Sequence, residues 1–246
     1  MSVAVIIPAA GGSTRYGGPQ KKQFTTLDGK PIWQRSAELF WNRPDVSTVY
    51  LVIAPEDRDE FRGRFGHLLA FANCELVTGG AERFESVANA LAIVPEDVDL
   101  VAVHDAVRPM TAPLIIDSVF AMAMKTGAAM VAIPLADTLK RVKDDAVIET
   151  VPRAGLWQAQ TPQVFRRELL IDAYAKRGSL KDITDDAQLV EACGHAVTVV
   201  TGSISNFKIT TPDDFKLAEA VLRAKGGVRD TPKPAASFHD DEAKWE

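Results

Sequence analysis

Cysteine and histidine are scarce in this chain, and neither is clustered. Cys74 and Cys193 lie far apart among 246 residues, which excludes a disulfide framework or a thiolate metal pair and suits a reducing compartment. His67, His104, His195 and His239 show no ligand spacing. Long apolar runs are missing too, with none approaching the roughly 18 to 20 residues of a membrane span. Met1 leads straight into a strand pattern, without the basic, apolar and small-residue segments of a secretory signal. The expectation is a soluble, cytoplasmic protein with no membrane partner. An excess of positive charge is also lacking: 28 Lys and Arg face 33 Asp and Glu, a net charge of -5. That excludes nucleic acid as the main partner, so any cationic site must be local.

Two familiar phosphate-binding spellings are absent as well. Neither Gly12 nor Gly17 leads into the Lys-Ser or Lys-Thr of a Walker A loop, and the positions of a dinucleotide fingerprint read Gly11, Ser13 and Tyr16. What stands there is Val3 to Phe24, VAVIIPAAGGSTRYGGPQKKQF. Val3 to Ile7 has the β-branched character of a strand buried on both faces. Pro8-Ala9-Ala10-Gly11-Gly12 then gives small residues that let a ligand reach the main chain, and Arg15, Lys21 and Lys22 follow. Bare amides leading into fixed cations hold an anion. A glycine-rich surface turn would share the composition.

Strand and helix patterns alternate beyond the loop. Helices are predicted over Pro31 to Arg43, over Asp57 to Phe65 as a charged surface helix, through Phe84, Val87, Leu91 and Val94, and over Pro113 to Lys125. Strands are predicted at Thr48 to Ala54, Asn73 to Val77, Asp99 to His104 and Ala128 to Pro134. This alternation predicts an α/β fold with a mainly parallel central sheet, whose carboxyl ends form the ligand-binding rim. Those ends carry AAGGSTR, GGAERFES, HDAVRP and DTLKR, although turn chemistry alone also collects such residues.

Thr138 to Val151 alternates polar and apolar residues around Asp144-Asp145, predicting a hairpin inside a protruding β-arm at about 136–156. Such an arm either folds on its own domain or is covered by a second copy in a symmetric dimer. Trp157 to Phe165 brings the chain back. Helices follow at Arg166 to Lys176, at Asp182 to Cys193 with a cap at Thr184-Asp185-Asp186, and at Thr211 to Lys225. Further strands are predicted at Ala196 to Thr201 and Ser205 to Ile209. Residues 1–225 read as one domain, and 226–246 as a disordered tail.

The motifs AAGGSTR, KKQF, GGAERFESV, VHDAVRP, DTLKR, VPRAGLWQAQTPQVF, ITDDA and SNFKITTPDDFKLAE stand in that order. Together they resemble the 2-C-methyl-D-erythritol 4-phosphate cytidylyltransferases, over residues 3 to 222. The resemblance implies a Rossmann-like nucleotidyltransferase fold, a β-arm that interlocks a homodimer, Mg2+ as cofactor, and transfer of CMP from CTP to a polyol phosphate. It implies that Ala9, Ala10, Gly11 and Gly12 line the nucleotide, that Gly80 and Ser86 reach the cytosine, and that Arg15 and Lys22 neutralise the triphosphate. Asp105 would stand near ribose and metal with Arg83 and Arg108 beside it. Thr138 and Arg153 of a partner's arm would hold the polyol phosphate, and Lys208 would face the reacting phosphates.

Two residues depart from the family pattern: Ser13 replaces a glycine, and Lys21 replaces the proline before Lys-Gln. The competing readings are a cytidylyltransferase for D-ribitol 5-phosphate and a non-catalytic CTP-binding module. The acceptor phosphate is already anionic, so no activated Ser-His-Asp array is required, and none is evident. The chemistry asks instead for cations that stabilise charge at the transferring phosphorus.

Overall fold

The computed structural model describes residues 1–12, 21–178 and 183–227. Strand β1 (Val3–Pro8) is its spine. Side chains alternate across a strand, so Val3, Val5 and Ile7 enter one apolar cluster while Ala4 and Ile6 enter another. Burying each Val or Ile contributes about 1.5–3 kcal/mol. That fixes β1, and the loop at its end, more firmly than a surface ion pair of about 0–1 kcal/mol could.

A tight hairpin of β2 (Thr26–Leu27) and β3 (Lys30–Pro31) precedes α1 (Ile32–Glu38). Then come β4 (Val46–Ile53), α2 (Arg58–Leu69), β5 (Cys74–Thr78), α3 (Arg83–Leu91) and β6 (Leu100–Val103). The chain continues through α4 (Pro113–Thr126), β7 (Ala128–Pro134), β8 (Leu139–Lys143), β9 (Ala146–Val151) and β10 (Trp157–Arg166). It closes with α5 (Arg167–Ala175), α6 (Asp186–Ala192), β11 (Thr198–Thr201) and α7 (Pro212–Gly227).

The seven-stranded sheet runs β11-β7-β10-β6-β1-β4-β5. Its pairings are parallel except those of β10, which is antiparallel to both β6 and β7. Helices cover both faces. Trp33, Phe61, Phe65 and Phe120 bring α1, α2 and α4 onto one cluster, while Val87, Leu170 and Leu189 bring α3, α5 and α6 onto the other. A third cluster seats Ala218 of α7 with Leu27, Val107 and Ile209, so α7 braces the segment that follows β6.

Most predicted elements are present, the hairpin among them, with Asp144 and Asp145 at φ 49 and 61. Some readings are corrected. The first helix stops at Glu38 instead of Arg43, where the ladder gives way to tighter turns, the Phe40 amide reaching Ala37 O and the Arg43 amide reaching Phe40 O, and Pro44 keeps Arg43 from resuming it. The charged helix is not a pure surface helix, since Phe61 and Phe65 are buried against Trp33. Ser205 to Ile209 is not a strand. Ile204–Asn206 is a 3-10 turn, because the Asn206 amide closes onto Ser203 O and its carbonyl takes Arg108 instead of joining a ladder. Helix α7 runs past the expected boundary at 225 to Gly227, and the remainder of the expected tail lies outside the described residues.

Candidate active site

The rim is built from three loops. Beyond β1, the Ala9 amide donates to Val52 O at 2.7 Å. The carbonyls of Ala9 and Gly11 are taken by Nε2 of Gln23 at 2.7 and 3.1 Å. Gln23 thus holds the loop by its acceptors. Beyond β5, a Cβ on Gly79 would meet Ser86 Oγ at 2.8 Å and Ala10 Cβ at 2.9 Å, so only glycine lets the loops after β1 and β5 approach. Helix α3 then begins with a reciprocal cap between Glu82 and Glu85. Ser86 Oγ accepts from the Gly80 amide at 3.1 Å and donates to Glu82 O at 3.2 Å.

Beyond β6 lies Asp105, the electrostatic centre of the site. Lys208 Nζ stands 3.2 Å from its carboxylate, Arg108 Nε 3.1 Å and Arg83 Nε 3.9 Å. Burial by itself would push this carboxyl up, but Lys208, Arg83 and Arg108 outweigh burial and hold it well below the usual range. Arg83 is shared with the buried Asp186, whose Oδ2 is 2.7 Å from Nη2. Tyr174 donates to the other oxygen of Asp186 at 2.6 Å.

Beneath the rim lies a buried polar bed. His104 Nε2 faces Arg108 O at 3.1 Å, and since a carbonyl only accepts, the hydrogen sits on Nε2. Nδ1 then accepts from Thr161 Oγ1 at 3.1 Å, and Thr161 in turn accepts the Asp105 amide at 3.0 Å. Burial lowers the His104 pKa to about 4, so the ring is a neutral brace and not a base for the reaction. Asn206 donates to Thr161 O at 2.9 Å and accepts from Thr111 at 2.7 Å. Its carbonyl receives Arg108 Nη1 at 2.7 Å, which ties the run leading to Lys208 onto the end of β6. Gln163 accepts the amides of Asp186 and Ala187 at 3.1 and 2.9 Å and donates to Asp185, seating α6 on β10.

One cavity of about 250 Å3 is lined by Ala9, Ala10, Gly11, Lys22, Gly80, Arg83, Ser86, Asp105 and Lys208. The structure therefore brings together most of the residues singled out in the sequence. Gly12 is exposed next to this lining, and Arg108 is buried behind Asp105. Thr138 and Arg153 do not join the cavity of their own chain and are exposed at the arm. Arg15 lies outside the described residues. The bed of Thr161, Gln163, Asp186 and Asn206 was not assigned from sequence. Its one signal was the polar spelling QTPQ inside an otherwise apolar strand.

A mainly parallel sheet, a small-residue loop at the end of β1 and cations converging on one carboxylate define the class of the protein: it is a nucleotidyltransferase. Residues 3–224 match the profile of IspD, 2-C-methyl-D-erythritol 4-phosphate cytidylyltransferase. The chain belongs to that family. A 2-C-methyl-D-erythritol 4-phosphate cytidylyltransferase of Rhodopirellula baltica is 44% identical over 233 residues, covering 90% of this chain and 95% of that protein. Another, from Halalkalibacterium halodurans, is 41% identical, covering 92% and 99%. The crystal structure of the 2-C-methyl-D-erythritol 4-phosphate cytidylyltransferase from Thermus thermophilus superposes with a TM-score of 0.74 at 34% identity, over 91% of this chain and 100% of that one.

Proposed function

We propose that the chain transfers CMP from CTP to 2-C-methyl-D-erythritol 4-phosphate in isoprenoid biosynthesis. The products are 4-diphosphocytidyl-2-C-methyl-D-erythritol and pyrophosphate. The observation that carries this reading is the cavity where the Ala9 to Gly11 loop, Lys22, Arg83, Asp105 and Lys208 converge. A phosphate oxygen of the polyol attacks the α-phosphorus of CTP, forming the new P-O bond as the bond to the pyrophosphate oxygen breaks. No proton has to be removed from the nucleophile. Lys22 and Lys208 stabilise the charge that builds on the α-phosphate and the leaving pyrophosphate, an electrostatic role that needs fixed groups more than titrating ones. Arg15 joins them in this reading. Ala9, Ala10, Gly11 and Gly12 take the nucleotide by main-chain groups, Gly80 and Ser86 the base.

Asp105 is the residue that would hold Mg2+. Among the described residues no cluster of three or more metal-binding side chains occurs. That suits an ion usually held by one or two carboxylates plus phosphate oxygens. Bound there, Mg2+ supplies further neutralisation of the triphosphate.

The exposed arm argues for a homodimer. Val142, Val147 and Ile148 are 54%, 60% and 57% exposed, apolar surface that a second copy would cover. Thr138 and Arg153 from that copy then hold the polyol phosphate. No described helix is long and apolar enough to cross a membrane. Both cysteines are free, which suits the reducing cytoplasm.

Pyrophosphate release, measured with CTP, Mg2+ and a panel of polyol phosphates, tests the reading. Turnover is expected with 2-C-methyl-D-erythritol 4-phosphate and little with D-ribitol 5-phosphate. The reverse preference, or release with no acceptor, overturns it.

A further inference from the structure

Lys21 and Lys22 are neighbours in sequence with different destinations. The Lys21 ammonium lies 2.7 Å from Asp57 Oδ2 and 3.1 Å from Glu56 Oε1, at the head of α2. Lys22 lines the active-site cavity. Gln23 reaches back to the carbonyls of the β1 loop, while Phe24 packs on Phe61 and Phe65 with ring centroids 5.8 and 6.5 Å away. The short 3-10 turn Lys22–Phe24 is therefore held from two sides, with Lys21 and Phe24 gripping α2 and Gln23 gripping β1.

Packing alone does not close the grip on α2. A second cavity of about 180 Å3 opens at this seam, lined by Lys21, Phe24, Asp57, Phe61 and Phe65 among others. The ion pair acts where apolar contact is incomplete. Asp57 is its main partner, because its side chain is 18% exposed against 69% for Glu56, and screening weakens the more exposed charge. Burial pulls the Lys21 pKa down, but Asp57 and Glu56 more than offset it, so the ammonium stays charged. The backbone at Lys21 has φ -61 and ψ 132, and a φ near -65° is where a proline ring holds the chain.

We propose that Lys21 is a positioning residue: its ion pair with Asp57 clamps the turn to α2 and so aims Lys22 into the active-site cavity. The proposal rests on Lys22 acting as a phosphate-facing cation. It assigns to α2, which contributes no lining residue to that cavity, the task of setting the aim of Lys22.

The test compares kcat and KM for CTP and for 2-C-methyl-D-erythritol 4-phosphate in Lys21→Met, Lys21→Pro, Asp57→Asn, Lys22→Met and the double variant Lys21→Met/Lys22→Met. Thermal melting serves as the folding control. Lys22→Met is expected to lower kcat/KM about 100-fold, the scale of one lost electrostatic stabiliser. Lys21→Met and Asp57→Asn are each expected to lower it about 10-fold, mostly through kcat, because a misaimed cation costs the transition state more than the ground state. Lys21→Pro, which exchanges an electrostatic restraint for a covalent one, recovers activity to within about threefold. Its activity relative to the parent rises as salt goes from about 0.05 to 0.5 M, since only the parent relies on a screenable clamp. In the Lys22→Met background, Lys21→Met costs nothing further.

Full activity in Lys22→Met would remove both the role of Lys22 and the clamp. An impaired Lys22→Met beside an unimpaired Lys21→Met overturns the clamp alone, as does a Lys21 effect that persists undiminished without Lys22. Should Lys21→Met fail to fold, Asp57→Asn and Lys21→Pro carry the comparison.

Discussion

Gly11 and Gly79 are the same residue kept for opposite reasons. At Gly79 the protein itself fills the space, with Ser86 Oγ and Ala10 Cβ within 2.9 Å of an added Cβ. At Gly11 no described atom lies within 4 Å of that position, and φ is not in the left-handed region. Nothing among the described residues fills that position, and Gly11 lines the cavity proposed to take the nucleotide. Gly79→Ala is therefore expected to lose about 1–3 kcal/mol of stability by overpacking. Gly11→Ala should melt at or slightly above the parent, because its unfolded chain loses about 0.4–1 kcal/mol of entropy. Yet it should bind CTP about 10-fold more weakly, the equivalent of one modest clash. Denaturation curves and CTP titrations check both, and a Gly11→Ala variant with normal CTP affinity would place the nucleotide elsewhere. The loop was legible in the sequence because small residues before cations have few other uses. That Lys22 and not Lys21 faces the site was legible only through the family motif, in which Lys22 precedes Gln23; the partner that draws Lys21 away, Asp57, lies 36 positions further on and was not.

Among the elements, α6 matters less for what it covers than for what it aims. Gln163 holds its first amides, and its Asp186 holds Arg83. Gln163→Leu leaves two buried donors unmet, so a loss of about 1–3 kcal/mol is expected. A raised KM for CTP should accompany it, as Arg83 loses its anchor. Unchanged KM and stability together would show that α6 seats itself without help from β10. The arm gives a second expectation: Ile148→Glu, placing charge on its exposed apolar strip, should elute as a monomer in gel filtration with at least about 10-fold lower turnover. A dimer with normal turnover would mean that this strip is not the contact between copies. The hairpin was readable because Asp144-Asp145 accepts the positive φ of a tight turn. The reversed direction of β10 was not readable, because an apolar strand does not spell the identity of its neighbours.

For the whole molecule, the buried bed makes stability depend on pH. His104 carries a folded pKa of about 4 against an ordinary 6.5. Between those values the unfolded chain binds the extra proton, so stability rises with pH through this window and is lost as pH falls through it. The full shift amounts to about 3 kcal/mol. Asp105 has the opposite charge type: its depressed carboxyl contributes stability above the ordinary carboxylate range, which is lost only at still lower pH. Denaturant unfolding at pH 7, 5.5 and 4.5 should show the parent weakening steadily and His104→Gln weakening less. Parallel slopes would assign the acid sensitivity to other groups. From sequence the layers and the rim could be read, since periodicity and turn chemistry are local. The bed could not, because Thr161, Gln163 and Asn206 look like solvent-facing polar residues until the sheet closes over them.

Strand β10 leaves the base of the arm and runs against its neighbours into the middle of the sheet. Along its length it carries Thr161, which receives the amide of Asp105, and Gln163, which seats α6. Outer limb and inner floor are thus two ends of one beam. The ladder to β7 shifts register between Ala159 and Gln163, so limb and floor meet at an irregular joint, and the residues that turn there, Thr161 among them, are the ones that reach the anion cage.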